Sequence, residues 1–235
     1  MTETNLEIRT LSMADEMSAI IRIFQQVWGT VTPVAEVELL CAISHAGGYV
    51  SGAFDSQKLV GASFGFLADH HGERALHSHV TGILPGLQHS GVGRLMKNHQ
   101  RDWAIARDIP WITWTFDPLV RRNAWFNIEV LKAHIAQYLV NFYGRMTDSI
   151  NGDDESDRLL AAWRTTGDSA PEPPAGGTTV EVATPHDIVV LRRKDPSAAD
   201  HWRKRVRAEL GDRMAAGAVV TGFTREGAYI VRVPG

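Results

Sequence analysis

One segment of the chain combines residue types that could bind an anion. Between Thr81 and Met96 the sequence reads TGILPGLQHSGVGRLM, in which a strand-like run passes through a proline into Gly91-Val-Gly93. Glycines at the start of a helix let the backbone approach a ligand closely, and the free N–H groups and the helix dipole there favour negative charge. Successive N–H groups in such a turn form a concave nest for phosphate oxygens. The segment therefore predicts a phosphate-binding turn, and a helix start that merely needs a tight turn is the alternative.

Two common phosphate-binding motifs do not fit these residues. A P-loop needs Gly-Lys-Ser/Thr at the start of its helix, whereas Gly93 is followed here by Arg94 and Leu95. A dinucleotide-binding turn needs a third glycine and lies close behind its strand, whereas Met96 occupies the third position here and a longer loop intervenes.

Two histidines lie on the strand before this turn. His77 and His79 are two residues apart, so on a regular strand their side chains share one face. Histidine has an unperturbed pKa of about 6.5, which suits a general base at neutral pH. The alternative is that one of them packs or hydrogen-bonds within the sheet. A metal site is less favoured, because His70 and His71 lie nearby but no cluster of acidic or cysteine ligands accompanies them.

Composition limits the kind of protein that carries these residues. The 235 residues are 44% hydrophobic and 22% charged, which is typical of a globular protein and too apolar for a disordered chain. Twenty-four Lys and Arg against 27 Asp and Glu give a net charge of −3, whereas a dedicated nucleic-acid binder is usually strongly basic. A single cysteine, Cys41, excludes an internal disulfide and a cysteine-rich zinc site. No run of roughly 18 apolar residues and no signal peptide is visible, so we expect a soluble, cytoplasmic protein without a membrane partner.

The first half of the chain alternates between strand and helix periodicity. Its predicted order is β-α-α-β-β-β-α-β-α-β, which indicates an α/β (α+β) fold with a mixed sheet and helices on its faces. The pattern includes a helix that begins at Ser12 and ends at Gly29, a strand over Leu76–Leu84 and a helix over Asn123–Ile135. The helix after the glycines has an apolar stripe, formed by Val92, Leu95, Met96, His99 and Trp103.

A Pro- and Gly-rich stretch divides the predicted domains. Residues 167–178 read GDSAPEPPAGGT, which cannot bury a core and predicts an exposed linker. The predicted domains are therefore residues 1–166 and a smaller unit over 179–235. The smaller unit has the predicted order β-β-α-β-β, with its second strand over Ile188–Arg192 and its helix over Ser197–Ala216.

The spacing of these motifs resembles the GNAT superfamily of acyl-CoA N-acyltransferases. Gln88, Gly91 and Gly93 match its Gln-x-x-Gly-x-Gly pyrophosphate motif, and the order of elements agrees with the GNAT fold, whose sheet is mostly antiparallel. Lys132 stands where a glycine is usual in that superfamily. The chain is more closely similar to a largely uncharacterised bacterial subfamily, through the motifs His77-Ser78-His79, Trp114–Leu119 and Asn123–Asn127.

The resemblance implies a site for an acyl-CoA, as co-substrate and without a metal. Pyrophosphate would bind at the loop and helix start, through Gln88, His89, Ser90, Gly91, Val92, Gly93 and Arg94. The backbone N–H of Ile83 or Leu84 would stabilise the thioester oxyanion, and Asn123 would contact the coenzyme arm unless it caps its helix. The donor would be acetyl-CoA or another short acyl-CoA such as succinyl-CoA.

The resemblance also implies catalytic roles. His77 matches a strand position where some GNAT enzymes hold a catalytic glutamate, so His77 or His79 would be the base that prepares a small amine or amino acid for direct attack. Asp117 would orient the amine or a histidine, and a turn that caps the strand end is its alternative. Ile128 stands where many members have a tyrosine acid, which leaves Tyr138 and Tyr143 as substitutes.

Other functions remain open at this point. The fold could bind acyl-CoA without catalysis, as a sensor or interaction module. The basic run His201–Arg207 could bind nucleic acid, but Trp202 and Val206 point to one side, and a solvated basic helix face is favoured. No nucleic-acid partner is therefore expected, and a homodimer is compatible with the fold. Cys41, on a different helix from the coenzyme loop, is expected to be a core residue and not an acyl carrier.

Overall fold

The chain folds into two units of strands and helices. A computed structural model describes residues 6–87, 90–146, 154–167, 172, 174 and 176–235. Contacts divide the chain into Met1–Thr113 and Trp114–Gly235. Within the described ranges, no helix is both long enough and apolar enough to cross a bilayer.

The first unit contains an antiparallel meander and the helices that cover it. In chain order its described elements are β1 (Leu6–Thr10), α1 (Ala14–Trp28), α2 (Val37–His45), β2 (Tyr49–Asp55), β3 (Lys58–His70), β4 (Glu73–Ile83), α3 (Val92–Ile105) and the start of β5 (Trp111–Phe116), which continues into the second unit from Trp114. The predicted helix from Ser12 to Gly29 and the predicted strand over Leu76–Leu84 are confirmed with small shifts of their ends. Gly29 ends α1 in the left-handed conformation, at φ +61°.

The strands of this unit lie in the order β1-β2-β3-β4-β5. The pairs β1–β2, β2–β3 and β3–β4 are antiparallel, whereas β4 pairs in parallel with β5. The pairing of β3 with β4 contains a bulge, because Phe64 faces Val80 whereas Gly65 faces Ser78, which leaves His79 as the extra residue. A bulge bends its strand and changes the direction of a side chain, and bulges are frequent beside active sites.

Two apolar clusters hold the helices against this sheet. Helices α1 and α2 contribute Phe24 and Leu40 to a cluster that also contains Phe64 of β3. Helix α3 contributes Val92 and Met96 to a second cluster. The start of α3 is therefore fixed to the sheet by buried side chains on either side of its first turn, and this fixes the turn that precedes it.

The second unit contains the rest of the chain. In chain order its described elements are the end of β5, α4 (Arg121–Trp125) with a π-helical continuation (Phe126–Val130), β6 (His134–Leu139), β7 (Arg145–Met146), β8 (Asp154–Glu155), β9 (Arg158–Arg164), β10 (Thr178–Ala183), α5 (Ile188–Lys194), α6 (Pro196–Val206) with a π-helical continuation (Arg207–Gly211), α7 (Asp212–Ala215), β11 (Val219–Phe223) and β12 (Ala228–Val233). Strand β9 lies between β5 and β6, β12 lies between β10 and β11, and β7 pairs with β8.

Two predictions for this unit are wrong. Ile188–Arg192 forms a helix and not a strand, because Asp187 caps it by accepting a hydrogen bond from the Val190 backbone N–H at 3.0 Å. The C-terminal order is therefore β-α-α-β-β, in which α7 continues α6. The helix predicted over Asn123–Ile135 ends earlier, since Lys132 is in the left-handed conformation at φ +57° and β6 begins at His134.

The left-handed conformation at Lys132 gives a physical reason why a glycine is usual at this position in the superfamily that the sequence resembles. Its ammonium group pairs with Glu129 at 3.0 Å. The predicted boundary at 167–178 stays a prediction. The strands after it nevertheless contact residues before it, because the Phe223 N–H donates to Glu129 and the Tyr229 hydroxyl donates to the Pro118 carbonyl, each at 2.8 Å.

Candidate functional site

The predicted anion-binding turn lies between β4 and α3. Gly91 is the N-cap residue of α3 and has φ +88°, a conformation that residues with a Cβ rarely adopt. Among the described residues no side chain caps this helix, so the N–H groups of Val92, Gly93 and Arg94 point out of its first turn without an intrahelical acceptor. This arrangement suits a phosphate or other anion.

The loop before α3 is only partly described. Ser90 donates a hydrogen bond from its hydroxyl to the Leu87 carbonyl at 2.6 Å, which closes a turn. Gly93 is half-buried and Arg94 is exposed. Gln88 and His89, which the sequence places in the pyrophosphate motif, lie outside the described residues.

Strand β4 leads into this turn with a backbone edge that extends beyond its pairing with β5. The pairing covers Ala75 to His77 and ends where His77 faces Thr113, whereas β4 continues to Ile83 beside β3. The Leu84 N–H donates to the Val60 carbonyl at 2.9 Å, so this amide is already engaged with β3.

The hydrogen bond of the Leu84 N–H to β3 distinguishes the two predicted oxyanion donors, Ile83 and Leu84. Residues of an antiparallel pair alternate between positions that exchange hydrogen bonds and positions that do not. Because Leu84 is bonded to β3, Ile83 is at a non-bonded position, and its N–H is directed away from β3 towards the open edge. Of the two candidates, Ile83 has the orientation that a thioester oxygen would require.

His77 and His79 lie together on one face of β4, as predicted. Their ring centroids are 6.2 Å apart, and the ring of Phe66 lies 5.3 Å from His77 and 5.6 Å from His79. The Nδ1 atom of His77 is 3.0 Å from the Thr113 hydroxyl oxygen, which fixes the ring. His77 is half-buried, and His79, at the bulge, is exposed.

The environments of the two histidines lower their basicity. Burial lowers the pKa of His77 to about 4, and the positive charges of His79 and Lys97 contribute to this shift. Partial desolvation of its ring by the neighbouring side chains also lowers the pKa of His79, although the residue as a whole is exposed. Both rings are therefore neutral at pH 7 and can accept a proton. His79 has the greater access to solvent and ligands.

Lys97 is a residue of this region that the sequence did not indicate. It lies on α3, is 6% exposed, and donates hydrogen bonds from Nζ to Ser78 Oγ at 2.9 Å and to Gln100 Oε1 at 3.2 Å. Burial lowers its pKa to about 7. The predicted stripe of α3 included Leu95, which is 45% exposed, whereas Lys97 and Gln100 are buried. The positions 97, 100 and 104 have helical spacing, but a lysine and a glutamine in that pattern normally indicate a solvated face.

The carboxylate of Asp117 is buried and bonded to other residues of the second unit. Its carboxylate accepts a hydrogen bond from the Leu119 N–H at 2.9 Å and pairs with Arg192 at 2.6 Å, and it is 7% exposed. The first contact is the strand-end turn that the sequence allowed as the alternative role. The role of Asp117 in orienting a substrate amine stays a prediction.

The other predicted residues of this unit are accessible. Tyr143 is 41% exposed, its hydroxyl lies 3.0 Å from the Thr115 hydroxyl, and the guanidinium of Arg158 lies 5.5 Å from its ring. Asn123 is half-buried in the first turn of α4, whose N-cap residue is Val120, so Asn123 is not the capping residue.

Three other residues in the second unit are engaged with acidic side chains. Tyr138 donates to Asp157 at 2.7 Å, which occupies its hydroxyl proton. Arg203, in the basic run predicted to be a solvated face, is 1% exposed and pairs with Asp154. Arg207 of the same run pairs with Asp157 at 2.7 Å. The prediction that the whole run faces solvent is therefore wrong, because acidic residues of β8 and the following turn neutralise two of its members.

Comparison with known proteins identifies the fold. No protein-family model matches the chain, and no curated protein is similar to it in sequence. The ribosomal-protein-S18-alanine N-acetyltransferase from Escherichia coli is similar in structure, with a TM-score of 0.53, 17% identity and coverage of 70% of this chain and 96% of that one. A GNAT-family protein from Desulfovibrio desulfuricans has a TM-score of 0.51, 14% identity and coverage of 68% and 99%. The chain has the GNAT fold.

A third structure with this fold contains the coenzyme. The protein yncA from Salmonella typhimurium, with its cofactor acetyl-CoA, matches at a TM-score of 0.55 with 14% identity, over 71% of this chain and 98% of that one. At these identities the likeness concerns the fold. Within the described part of the chain, no group of three or more His, Cys, Asp or Glu residues is arranged to hold a metal ion.

Proposed function

We propose that the protein is an acyl-CoA-dependent N-acyltransferase. The observation that carries this proposal is the start of α3, which no described side chain caps, after a strand with an open backbone edge and two neighbouring histidines. An anion site, an oxyanion donor and a base are the three groups that transfer from a thioester to an amine requires. The GNAT fold supports the proposal, because the similar structures include an N-acetyltransferase and a protein with bound acetyl-CoA.

The coenzyme would bind through its phosphates at the start of α3. The N–H groups of Val92, Gly93 and Arg94 would contact the pyrophosphate, and the guanidinium of Arg94 would add positive charge. Gln88, His89 and Ser90 would complete the loop. The donor would be acetyl-CoA or another short acyl-CoA, such as succinyl-CoA.

The transfer would proceed by direct attack. The amine loses a proton to His79 or His77, its nitrogen bonds to the thioester carbonyl carbon, and the oxygen of the tetrahedral intermediate accepts a hydrogen bond from the Ile83 N–H. The carbon–sulfur bond then breaks, and the thiolate takes a proton from water. The products are the amide and free coenzyme A. We favour His79 as the base, because it is exposed at the bulge and the pKa of His77 is about 4, far from the pKa that suits a base at neutral pH.

The acceptor would be a small amine or an amino acid, a class that the subfamily resemblance favours over a protein terminus. Coenzyme A release, followed with a thiol reagent, tests the proposal with acetyl-CoA and succinyl-CoA against a panel of amines, amino acids and short peptides. We expect release that depends on the amine. His79→Gln should lower kcat at least tenfold, with little change in the Kd of acetyl-CoA.

A catalytically inactive acyl-CoA-binding module is the second candidate. The observation in its favour is that Ile128, at the position where a tyrosine acid is usual in the family, is a buried core residue. Calorimetric titration with acetyl-CoA separates the candidates. Binding without amine-dependent thiol release supports the module, and the absence of both binding and release contradicts both candidates.

A further inference from the structure

Lys97 is buried at a position that the proposed reaction does not use. Its Nζ atom lies among protein groups, with Ser78 and Gln100 as hydrogen-bond partners. Removing an amino group from water costs free energy, because protein groups must replace its hydration. A lysine with hydrogen-bond partners in such a place has a defined position, unlike a surface lysine on a flexible stem.

The partner of Lys97 lies between the two histidines. Successive side chains of a strand point to opposite faces of the sheet, so Ser78 points away from the face on which His77 projects. Lys97 therefore contacts β4 from the opposite side. Its hydrogen bond to Ser78 fixes the strand at the point where the bulge begins, since Ser78 is the last paired residue before His79.

Helix α3 connects this contact to the predicted coenzyme site. The first turn of the helix presents the free N–H groups, and Lys97 lies in the next turn of the same helix. The hydrogen bond from Lys97 to Ser78 therefore connects α3 directly to β4. We propose that Lys97 is a positioning residue for the histidine strand, which holds Ser78 from the far face of β4 and adds a positive charge near His77.

Described residues from four elements act on the ring of His77. Around its ring, β3 contributes the neutral Phe66, β5 the neutral Thr113, β4 the titratable His79, and α3 contributes Lys97. The positive charge of Lys97 opposes protonation of His77. Removing that charge should raise the pKa of His77, and the effect should be partial because burial and the charge of His79 are the larger causes of its low value.

Nuclear magnetic resonance of the histidine rings tests the inference in the protein without coenzyme. We compare the titration of His77 in the unmodified protein, in Lys97→Met, and in Lys97→Gln, which keeps a hydrogen-bonding group without charge. We expect the pKa of His77 to rise in both variants, by on the order of half a pH unit to one unit. In His79→Gln, the control for the other nearby charge, the effect of Lys97 on His77 should persist.

The unmodified protein supplies a measurement that does not depend on a variant. His77 resonances should show a second inflection near pH 7, where Lys97 titrates, and this inflection should remain in His79→Gln. An unchanged His77 titration in a folded Lys97 variant, or the absence of the second inflection, overturns the inference.

The catalytic role of His77 or His79 rests on the proposed function. The titration spectra do not depend on that function. If acyl transfer is found, the acidic limb of the pH profile of kcat/KM should move to higher pH in Lys97→Met, provided that neutral His77 is required. If the spectra show the coupling but no acyl-CoA is used, the proposed function fails and the link between Lys97 and His77 stands.

Discussion

Asp117 and Arg192 form a buried ion pair in which a carboxylate oxygen and a guanidinium nitrogen are 2.6 Å apart. Arg192 comes from α5, near the end of the chain, and also donates a hydrogen bond to Asp154 at 3.1 Å. Asp117 follows β5 directly. The pair thus connects the C-terminal helices to the end of a strand in the middle of the sequence, within the second unit.

Removing one member of this pair should destabilise the protein strongly. Arg192→Met leaves the Asp117 carboxylate buried without its partner, and the loss of one member of a buried pair costs about 3–5 kcal/mol. Urea denaturation measures the change in the free energy of unfolding. Asp200→Asn is the control, because it breaks the exposed Lys204–Asp200 pair, and we expect a change below about 1 kcal/mol there. Equal effects in the two variants would contradict the structural role of the buried pair.

A chain that ends at residue 178 should not fold into a stable protein. Besides the pair with Arg192, such a chain loses the hydrogen bonds that Phe223 and Tyr229 make to Glu129 and Pro118. Thermal denaturation followed by circular dichroism measures the result, with the full chain as reference. A cooperative transition in the shortened chain would show that the predicted boundary at 167–178 separates independently folding domains.

Substitution of Gly91 should weaken coenzyme binding. Gly91→Ala forces a side chain into a conformation with φ +88°, which costs about 1 kcal/mol or more and disturbs the N–H groups of the α3 start. We expect the Kd of acetyl-CoA to rise about tenfold, measured by calorimetric titration. Gly72→Ala, at φ +82° in the turn between β3 and β4, is a matched control with similar backbone strain. A similar rise in Kd in both variants would mean that strain alone accounts for the effect.

The stability of the protein should fall as the pH drops below 6.5, partly because of His77. The pKa of this ring is about 4 in the folded protein and about 6.5 in the unfolded chain, so the unfolded chain binds the proton more tightly between these values. The contribution of the neutral His77 ring to the free energy of unfolding is fully present above pH 6.5 and is lost as the pH falls towards 4. It amounts to no more than about 3 kcal/mol because the ring is half-buried.

His77→Gln should make the free energy of unfolding less dependent on pH between 4 and 6.5, as measured by urea denaturation at several pH values. His201→Gln changes an exposed ring and serves as the control. An unchanged slope in His77→Gln would contradict the low pKa of this ring.

Much of the fold could be predicted because local patterns agree with tertiary packing. The helix from Ser12 to Gly29 has an apolar stripe at helical spacing and a glycine at its end. Both features are visible in the sequence of the helix alone. The sequence of Ile188–Arg192 predicts a strand because its β-branched residues favour strands, whereas the cap from Asp187 and the packing of α5 determine the helix.

The candidate site could be predicted only where it depends on sequence-local features. The glycines before α3 indicated the left-handed turn, and the spacing of His77 and His79 indicated their common face. The bulge at His79 depends on the register between two strands, and the burial of Lys97 depends on how α3 is rotated against the sheet. Neither feature leaves a pattern in the sequence, since a lysine at that position reads as a solvated residue.

The neighbouring amides of Ile83 and Leu84 point in opposite directions. Their exchange with solvent can therefore show whether a ligand is bound beside β4. In hydrogen–deuterium exchange, the Leu84 amide should be protected whether or not coenzyme is present, because β3 holds it. The Ile83 amide should exchange rapidly in the free protein and slowly once an acyl-CoA accepts its hydrogen bond. The ratio of the two exchange rates would therefore report binding at the thioester position itself, even for ligands that the protein holds without transferring their acyl group.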